Sequence, residues 1–175
     1  MEIKNFEFKA KVNSFEECEN LLLELKPTFF GIEFQKDTYF NTSNERLKLR
    51  EIEGKESKLI NYAREDVLGS KRSDILLYKH RADPSLLKIL MNQLGIMIVV
   101  EKERRIYGIE NVRFHLDTVK YLGTYIEVEA LDEKNRYSVE ELKQQCDYYY
   151  DYLEINPEQV EKMSYSDLLM VKVNT

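Results

Sequence analysis

Asn5-Phe6-Glu7-Phe8-Lys9-Ala10-Lys11-Val12 alternates polar and apolar residues without a break. At the two-residue period of a strand, Asn5, Glu7, Lys9 and Lys11 share one face, and Phe6, Phe8, Ala10 and Val12 share the other. In an ordinary half-buried sheet the polar face meets water. Here the polar face is itself specialised, and the pattern returns in Arg113-Phe114-His115-Leu116-Asp117 and Tyr125-Ile126-Glu127-Val128-Glu129. A barrel with a charged lumen accounts for strands specialised on both faces. Such a lumen suits a polyphosphate and a divalent metal.

The rest of the chain supplies enough strands to close that barrel. Glu2 to Val12 is the first strand. Ser14, with Glu17 three residues on, reads as a capping box opening a helix that carries Phe15, Cys18, Leu21, Leu22 and Leu25 and stops before Pro27. Thr28 to Asn41 is extended, Arg46 to Arg50 alternates again, and Glu53-Gly54-Lys55 is a hairpin turn into a strand at Lys58 to Arg64. A polar loop around Gly69 leads to a strand at about Ser73 to Arg81. Asp83-Pro84 starts a helix with Leu86, Leu87, Leu90 and Leu94 on one side, closed by Gly95. Ile96 to Tyr107 is a strand with a turn expected at Gly108. Asn111 to Val119 and Thr124 to Leu131 form a hairpin around Leu122-Gly123. Ser138 and Glu141 open a helix to about Leu153, and a short helix spans Ser164 to Met170. About eight strands with few helices imply an α+β fold, an eight-stranded antiparallel β-barrel. Its outward apolar faces need cover, which three amphipathic helices are expected to give.

Sorting residues by face separates the charges by sign. Basic residues dominate the middle strands: Lys48 and Arg50, then Lys58 with Arg64, then Lys102 and Arg104. Acidic residues gather on the first strand and the last hairpin, at Glu7, Glu127 and Glu129. An exposed sheet face is often charged, and cross-strand Lys/Glu pairs add a little stability. The separation by sign favours a lumen instead: a basic wall for triphosphate oxygens opposite carboxylates for Mg2+ or Mn2+.

The bulk composition narrows the function further. A length of 175 residues implies one domain, 1–175, and 43% hydrophobic residues suffice for its core. A net charge of −6 argues against a general nucleic-acid binder. Cys18 and Cys146 form no CxxC pair and read as free thiols of a reducing compartment. The start of the chain offers no signal peptide, and no apolar run approaches the ~20 residues of a membrane span. A soluble cytoplasmic protein is expected, without nucleic-acid or membrane partners.

These residues resemble the CYTH superfamily of triphosphate tunnel proteins, and within it the class IV adenylate cyclase-like branch. The resemblance rests on Asn5-x-Glu7-x-Lys9, Gln35-x-Asp37-x-Tyr39-Phe40, Arg46-Leu47-Lys48-Leu49-Arg50, Tyr62-x-Arg64, Lys71 with Ser73, Lys102-x-Arg104, His115-Leu116-Asp117-x-Val119, Leu122-Gly123, Glu127-x-Glu129 and Tyr165-Ser166-Asp167-Leu168-Leu169. It implies an eight-stranded tunnel and divalent-metal chemistry on triphosphates. Carried over, Glu7, Glu127 and Glu129 become metal ligands, with Asp117 a fourth. Lys9, Lys11, Lys48, Arg50, Lys58, Arg64, Lys102, Arg104 and Arg113 become the phosphate cradle. Glu7, Lys9, Glu127 and Glu129 are the expected catalytic residues, and Mg2+ or Mn2+ the cofactor. The family's first motif position holds Glu, where this chain has Asn5, an amide that can ligate a hard cation only without charge.

Three functions remain open at this point. A cyclase would convert ATP to cyclic AMP and pyrophosphate. A triphosphatase would release orthophosphate from an inorganic or organic triphosphate. A third possibility is binding of a nucleoside triphosphate or other polyphosphate without turnover. His115 reads as a hydrogen-bonding residue beside Asp117 or as a proton-transfer group. Tyr148-Tyr149-Tyr150 reads as helix packing. Assembly as a homodimer stays open.

Overall fold

A computed structural model describes residues 2–64 and 71–174. Eight strands form a single closed barrel: β1 (Glu2–Val12), β2 (Thr28–Phe40), β3 (Arg46–Ile52), β4 (Ser57–Arg64), β5 (Lys71–His80), β6 (Ile96–Ile109), β7 (Val112–Val119) and β8 (Gly123–Asp132). Around the barrel they run β1-β5-β4-β3-β2-β6-β7-β8, and β8 returns to β1. Every neighbouring pair is antiparallel. Closure leaves no unpaired edge, and eight strands enclose just enough room for side chains or one small ligand.

Four helices accompany the barrel: α1 (Glu16–Glu24), α2 (Pro84–Leu94), α3 (Val139–Tyr152) and α4 (Tyr165–Val173). Among the described residues no helix is long and apolar enough to cross a membrane. Asp83 caps α2 by accepting from the Ser85 amide at 2.8 Å, with Pro84 at the first helical position. Ser138 and Glu141 cap α3 reciprocally, and Ser164 and Asp167 do the same for α4. The capping box expected at Ser14 does not form. α1 begins one residue later, capped at Phe15, and Ser14 Oγ instead accepts from the Glu16 amide, only two residues on. The turn expected at Gly108 also moves. β6 continues through it to Ile109, and Glu110 makes the turn with φ +50. Gly108 is needed for space, because a Cβ there would stand 2.5 Å from the Phe30 ring.

The apolar faces of β1, β7 and β8 point outward, as the alternation implies. Phe6, Phe8, Ala10, Val12, Phe114, Leu116, Ile126 and Val128 join Cys18 and Leu22 of α1 and Leu142 and Cys146 of α3 in one core. Phe114 packs edge-on against Tyr149 at 4.8 Å, and Phe8 against Tyr150 at 5.4 Å, so these tyrosines serve helix packing. Both cysteines are free and buried. Helical cover is less complete than expected. α2 half-buries Leu86, Leu87, Leu90 and Leu94 but has no buried residue. The outer faces of β2 and β5 leave Phe34 55% and Tyr78 63% exposed.

Leu142 is fully buried on the inner face of α3, whereas Ile89 of α2 is exposed. Leu142→Ala should lower unfolding free energy by about 2–5 kcal/mol through the cavity it leaves. Ile89→Ala should stay within about 0.5 kcal/mol of wild type. Urea denaturation of both variants checks the ranking.

Candidate active site

The polar faces of the strands converge on one cavity of about 330 Å³ inside the barrel. That size is at the low end for small-molecule sites. Glu7, Lys9, Lys48, Arg50, Lys58, Lys102, Arg104, Arg113, Glu127 and Glu129 all line it. Two expected members do not, and the side chain of a third is outside the described residues. Lys11 is exposed at the end of β1, with its ammonium 5.9 Å from the Tyr125 ring. Asp117 lies fully buried behind the basic side chains. Arg64 ends β4, and its side chain is outside the described residues.

Two carboxylates fix the basic wall. Asp37 lies directly opposite Arg50 on the neighbouring strand, and Asp117 directly opposite Arg104. Arg50 grips Asp37 through Nε and Nη2, both at 2.6 Å, and Lys48 Nζ reaches the same carboxylate at 3.1 Å. Arg104 grips Asp117 in the same two-pronged way at 2.6 Å, with Lys102 Nζ at 3.7 Å. Each fork leaves other guanidinium N–H groups to point elsewhere. Burial and the surrounding cations Arg104 and Arg50 hold the Lys102 ammonium down to about 7, against the pull of Asp117. Burial and Arg50 lower Lys58 as well.

The carboxylate side is arranged differently. Glu7 and Glu129 stand directly opposite each other on β1 and β8. Like charges in that position repel. Burial, Glu7 and Glu127 together push the Glu129 carboxyl up to about 7. Asn5 Nδ2 donates to Glu129 Oε1, while Asn5 Oδ1 is buried without a hydrogen-bond partner among the described residues. Glu127 accepts from Arg104 Nη2 and from His115 Nδ1, both at 3.0 Å and both on Oε1. His115 is held down to about 4 by burial and Arg104, so it is neutral near pH 7 and donates through Nδ1. Its partner is Glu127 rather than the expected Asp117.

These donors fit a hard divalent cation in chemistry. Two crowded carboxylates and an orphaned amide oxygen are what such an ion relieves. Among the described residues, no three His, Cys, Asp or Glu side chains already stand as a cage. Glu7 and Glu129 would therefore have to draw together around the ion. Asp117 does not fit as a ligand. Its oxygens are committed to Arg104, Lys102 and the Tyr165 hydroxyl, which donates at 2.8 Å.

Several site residues carry no assigned role from the sequence. Asp37 and Tyr165 fall in tracts that support the resemblance, but only the cross-strand register shows what they hold. Lys79 lies directly opposite Lys58 and lines the cavity near it, following the parity of Ile75 and Leu77. Glu33 also lines it, accepting from Gln35 and from Lys55 at 3.0 Å. α4 closes one end of the lumen. Tyr165 and Leu169 pack with Tyr39, Tyr62, Val119 and Tyr125, Lys9 Nζ donates to the Met163 carbonyl, and Arg46 ties down Ser164 and Asp167 at 2.7 and 2.8 Å.

Comparison with known proteins agrees with this architecture. A family model for the CYTH domain matches residues 4–147. The PH1012 protein of Pyrococcus horikoshii superposes with a TM-score of 0.80 at 27% identity, covering 94% of this chain and 98% of that one. A conserved hypothetical protein of Pyrococcus furiosus gives 0.78 at 21% identity, covering 94% and 99%. A candidate adenylate cyclase of Vibrio parahaemolyticus gives 0.79 at 16% identity, covering 95% and 97%. The last two likenesses show the fold alone. Comparison with curated proteins gives no match.

His115 and Glu129 set opposing pH dependences in the metal-free protein. Between the ordinary 6.5 of histidine and about 4, the unfolded chain binds a proton at His115 that the folded chain does not, so stability falls as pH falls. Between the ordinary 4.5 of glutamate and about 7, the folded chain holds the extra proton at Glu129, so stability falls as pH rises. The two should offset each other over the shared window between those values. Relative to wild type, Glu129→Gln should then gain stability as pH rises through the window, and His115→Gln should lose it. Urea midpoints in EDTA at both ends of the window test this, and parallel profiles in all three proteins would count against it.

Proposed function

The chain belongs to the CYTH domain family, and from that membership we propose a metal-dependent enzyme acting on a nucleoside triphosphate. The reaction proposed is conversion of ATP to cyclic AMP and pyrophosphate, as in the class IV cyclases that the sequence resembles. One observation carries the reading: a pinned basic wall and a crowded pair of carboxylates share a single cavity.

Each part of the cavity has a role in this reading. Arg50 and Arg104, held by Asp37 and Asp117, offer their remaining N–H groups to phosphate oxygens without having to reorient. Lys9, Lys48 and Lys58 add point charges. Lys102, close to half neutral near pH 7, regains its proton when anionic oxygens arrive. Glu7, Glu129 and the orphaned Asn5 Oδ1, with Glu127 beside them, would hold Mg2+ or Mn2+, which neutralises charge on the departing pyrophosphate and activates the attacking hydroxyl. The ribose 3′-hydroxyl oxygen would then attack the α-phosphorus, losing its proton to water, as the bond to the bridging oxygen breaks and pyrophosphate departs. The wall keeps the β- and γ-phosphates in line for departure.

Incubation with Mg2+ or Mn2+ and either ATP or inorganic tripolyphosphate tests the assignment. Cyclic AMP with pyrophosphate supports it. Orthophosphate would make the protein a triphosphatase, and binding without either product would make it a polyphosphate-binding protein. Glu7→Gln should lower metal-dependent turnover on the order of a hundredfold while the urea midpoint changes little. Equal loss of fold and activity would remove Glu7 from the site. Lys102 gives a second check. At pH 8, calorimetry in buffers of different ionisation enthalpy should show more proton uptake on tripolyphosphate binding by wild type than by Lys102→Met.

A further inference from the structure

The outer face of β2 is apolar where the helices leave it uncovered. Glu33, Gln35 and Tyr39 of this strand line the lumen, so Ile32 and Phe34 point outward. Phe29 joins them across the bulge between Phe29 and Gly31, with its ring 5.0 Å from that of Tyr107. Phe29 is 53%, Ile32 48% and Phe34 55% exposed. On one side, α1 reaches β6, where Glu19 binds Arg105 and the Tyr107 hydroxyl. At the far end of β2, the Asn41 amide donates to the carbonyl of Gly95, which closes α2. One exposed Phe or Ile is ordinary on a protein surface, but three in one column of a strand form a patch, and such patches mark contact surfaces.

The charges beside the column specify what fits it. On β6, Arg105 lies directly opposite Ile32 and Glu103 directly opposite Phe34. A two-fold axis lying across the strands between these two levels reverses strand direction and keeps β6 over β6. Ile32 then meets Phe34 of the second copy, and Arg105 meets Glu103 of the second copy, each pair twice. The Glu103 side chain is half-buried and has no hydrogen bond or ion pair among the described residues, so it is available for such a pair. Arg105 binds Glu19 through Nη1, which leaves it further donors. Other surfaces suit a second copy less well. Glu16, Glu17 and Glu24 are exposed on α1, and Glu140, Asp147 and Asp151 on α3, in a chain of net charge −6. Like faces of that kind repel. An anionic lipid surface is disfavoured at β2 itself, because Glu101 and Glu103 flank the column.

We propose that the outer face of β2 is the interface of a homodimer, packed sheet against sheet about a two-fold axis between Ile32 and Phe34. Phe29, Ile32 and Phe34 form its apolar core, and the Arg105–Glu103 pairs fix its register at the rim. The lumen residues of β2 lie on the opposite face of the strand, so each copy keeps its own cavity. Dimerisation is therefore separable from whatever reaction the lumen performs.

Sedimentation velocity over a concentration series tests it. Wild type should pass reversibly from monomer to dimer as concentration rises. Phe34→Lys should raise the dimer dissociation constant about tenfold or more. Glu103→Arg sets like charges against each other at both contacts and should weaken the dimer similarly. Combining Glu103→Arg with Arg105→Glu exchanges the signs, rebuilds both pairs and should restore most of the affinity. Ile32→Thr, a strand-compatible change, repeats the apolar test should Phe34→Lys not fold. Wild type that stays monomeric at every concentration, or a dimer indifferent to Phe34→Lys and Ile32→Thr, would overturn the interface. A double variant that dimerises no better than Glu103→Arg alone would overturn the two-fold placement.

Discussion

Cations crowded into a barrel interior repel one another and lose their hydration, and Asp37 and Asp117 make that crowding tolerable. Each is essentially fully buried, and each is gripped by an arginine directly across the strand pair. A buried ion pair of this kind gains little net stability, because desolvation opposes the Coulomb attraction. Its effect is on geometry. The guanidinium planes are set before any ligand arrives, so their remaining donors are already aimed. Lys48 and Lys102 lean on the same two carboxylates. Tyr165 joins through Asp117, which ties the last helix to the middle of the barrel.

The opposite side of the lumen follows another rule. Glu7 faces Glu129 directly across the strand pair, and Asn5 stands beside them with an acceptor unsatisfied among the described residues. The basic half is held by its own counter-ions, whereas on the acidic half two carboxylates crowd one another. That asymmetry divides one cavity into a rigid part and a part whose geometry a bound ion would set. Asn5 moderates the crowding, since a third carboxylate there would raise the repulsion further.

Much of this organisation is legible in the sequence because strand parity is local. Phe6, Phe8 and Val12 point outward and Glu7 and Lys9 inward, as their alternation implies. Parity gives the face and not the depth, so Lys11, in phase with Lys9, ends up outside the cavity. Parity also says nothing about the neighbour across the ladder. Asp117 has the phase of a lumen ligand but meets Arg104, and His115 meets Glu127 in place of Asp117. Gly108 looks like a turn signal, yet its purpose is clearance for the Phe30 ring, a residue far away in the chain. Which side chains meet across the lumen emerges only from the order and register of strands around the barrel, which no single strand encodes.

α4 has one more effect. By filling one end of the barrel it turns a corridor into a cul-de-sac, with Tyr165 at its floor and Lys58, Lys79, Glu33 and Glu133 nearer the other rim. Traffic in a cul-de-sac is ordered. Whatever enters first lies deepest, and whatever lies nearest the rim must depart before the piece behind it can follow. For the proposed reaction, products would then have to leave in order, the one nearest Tyr165 last.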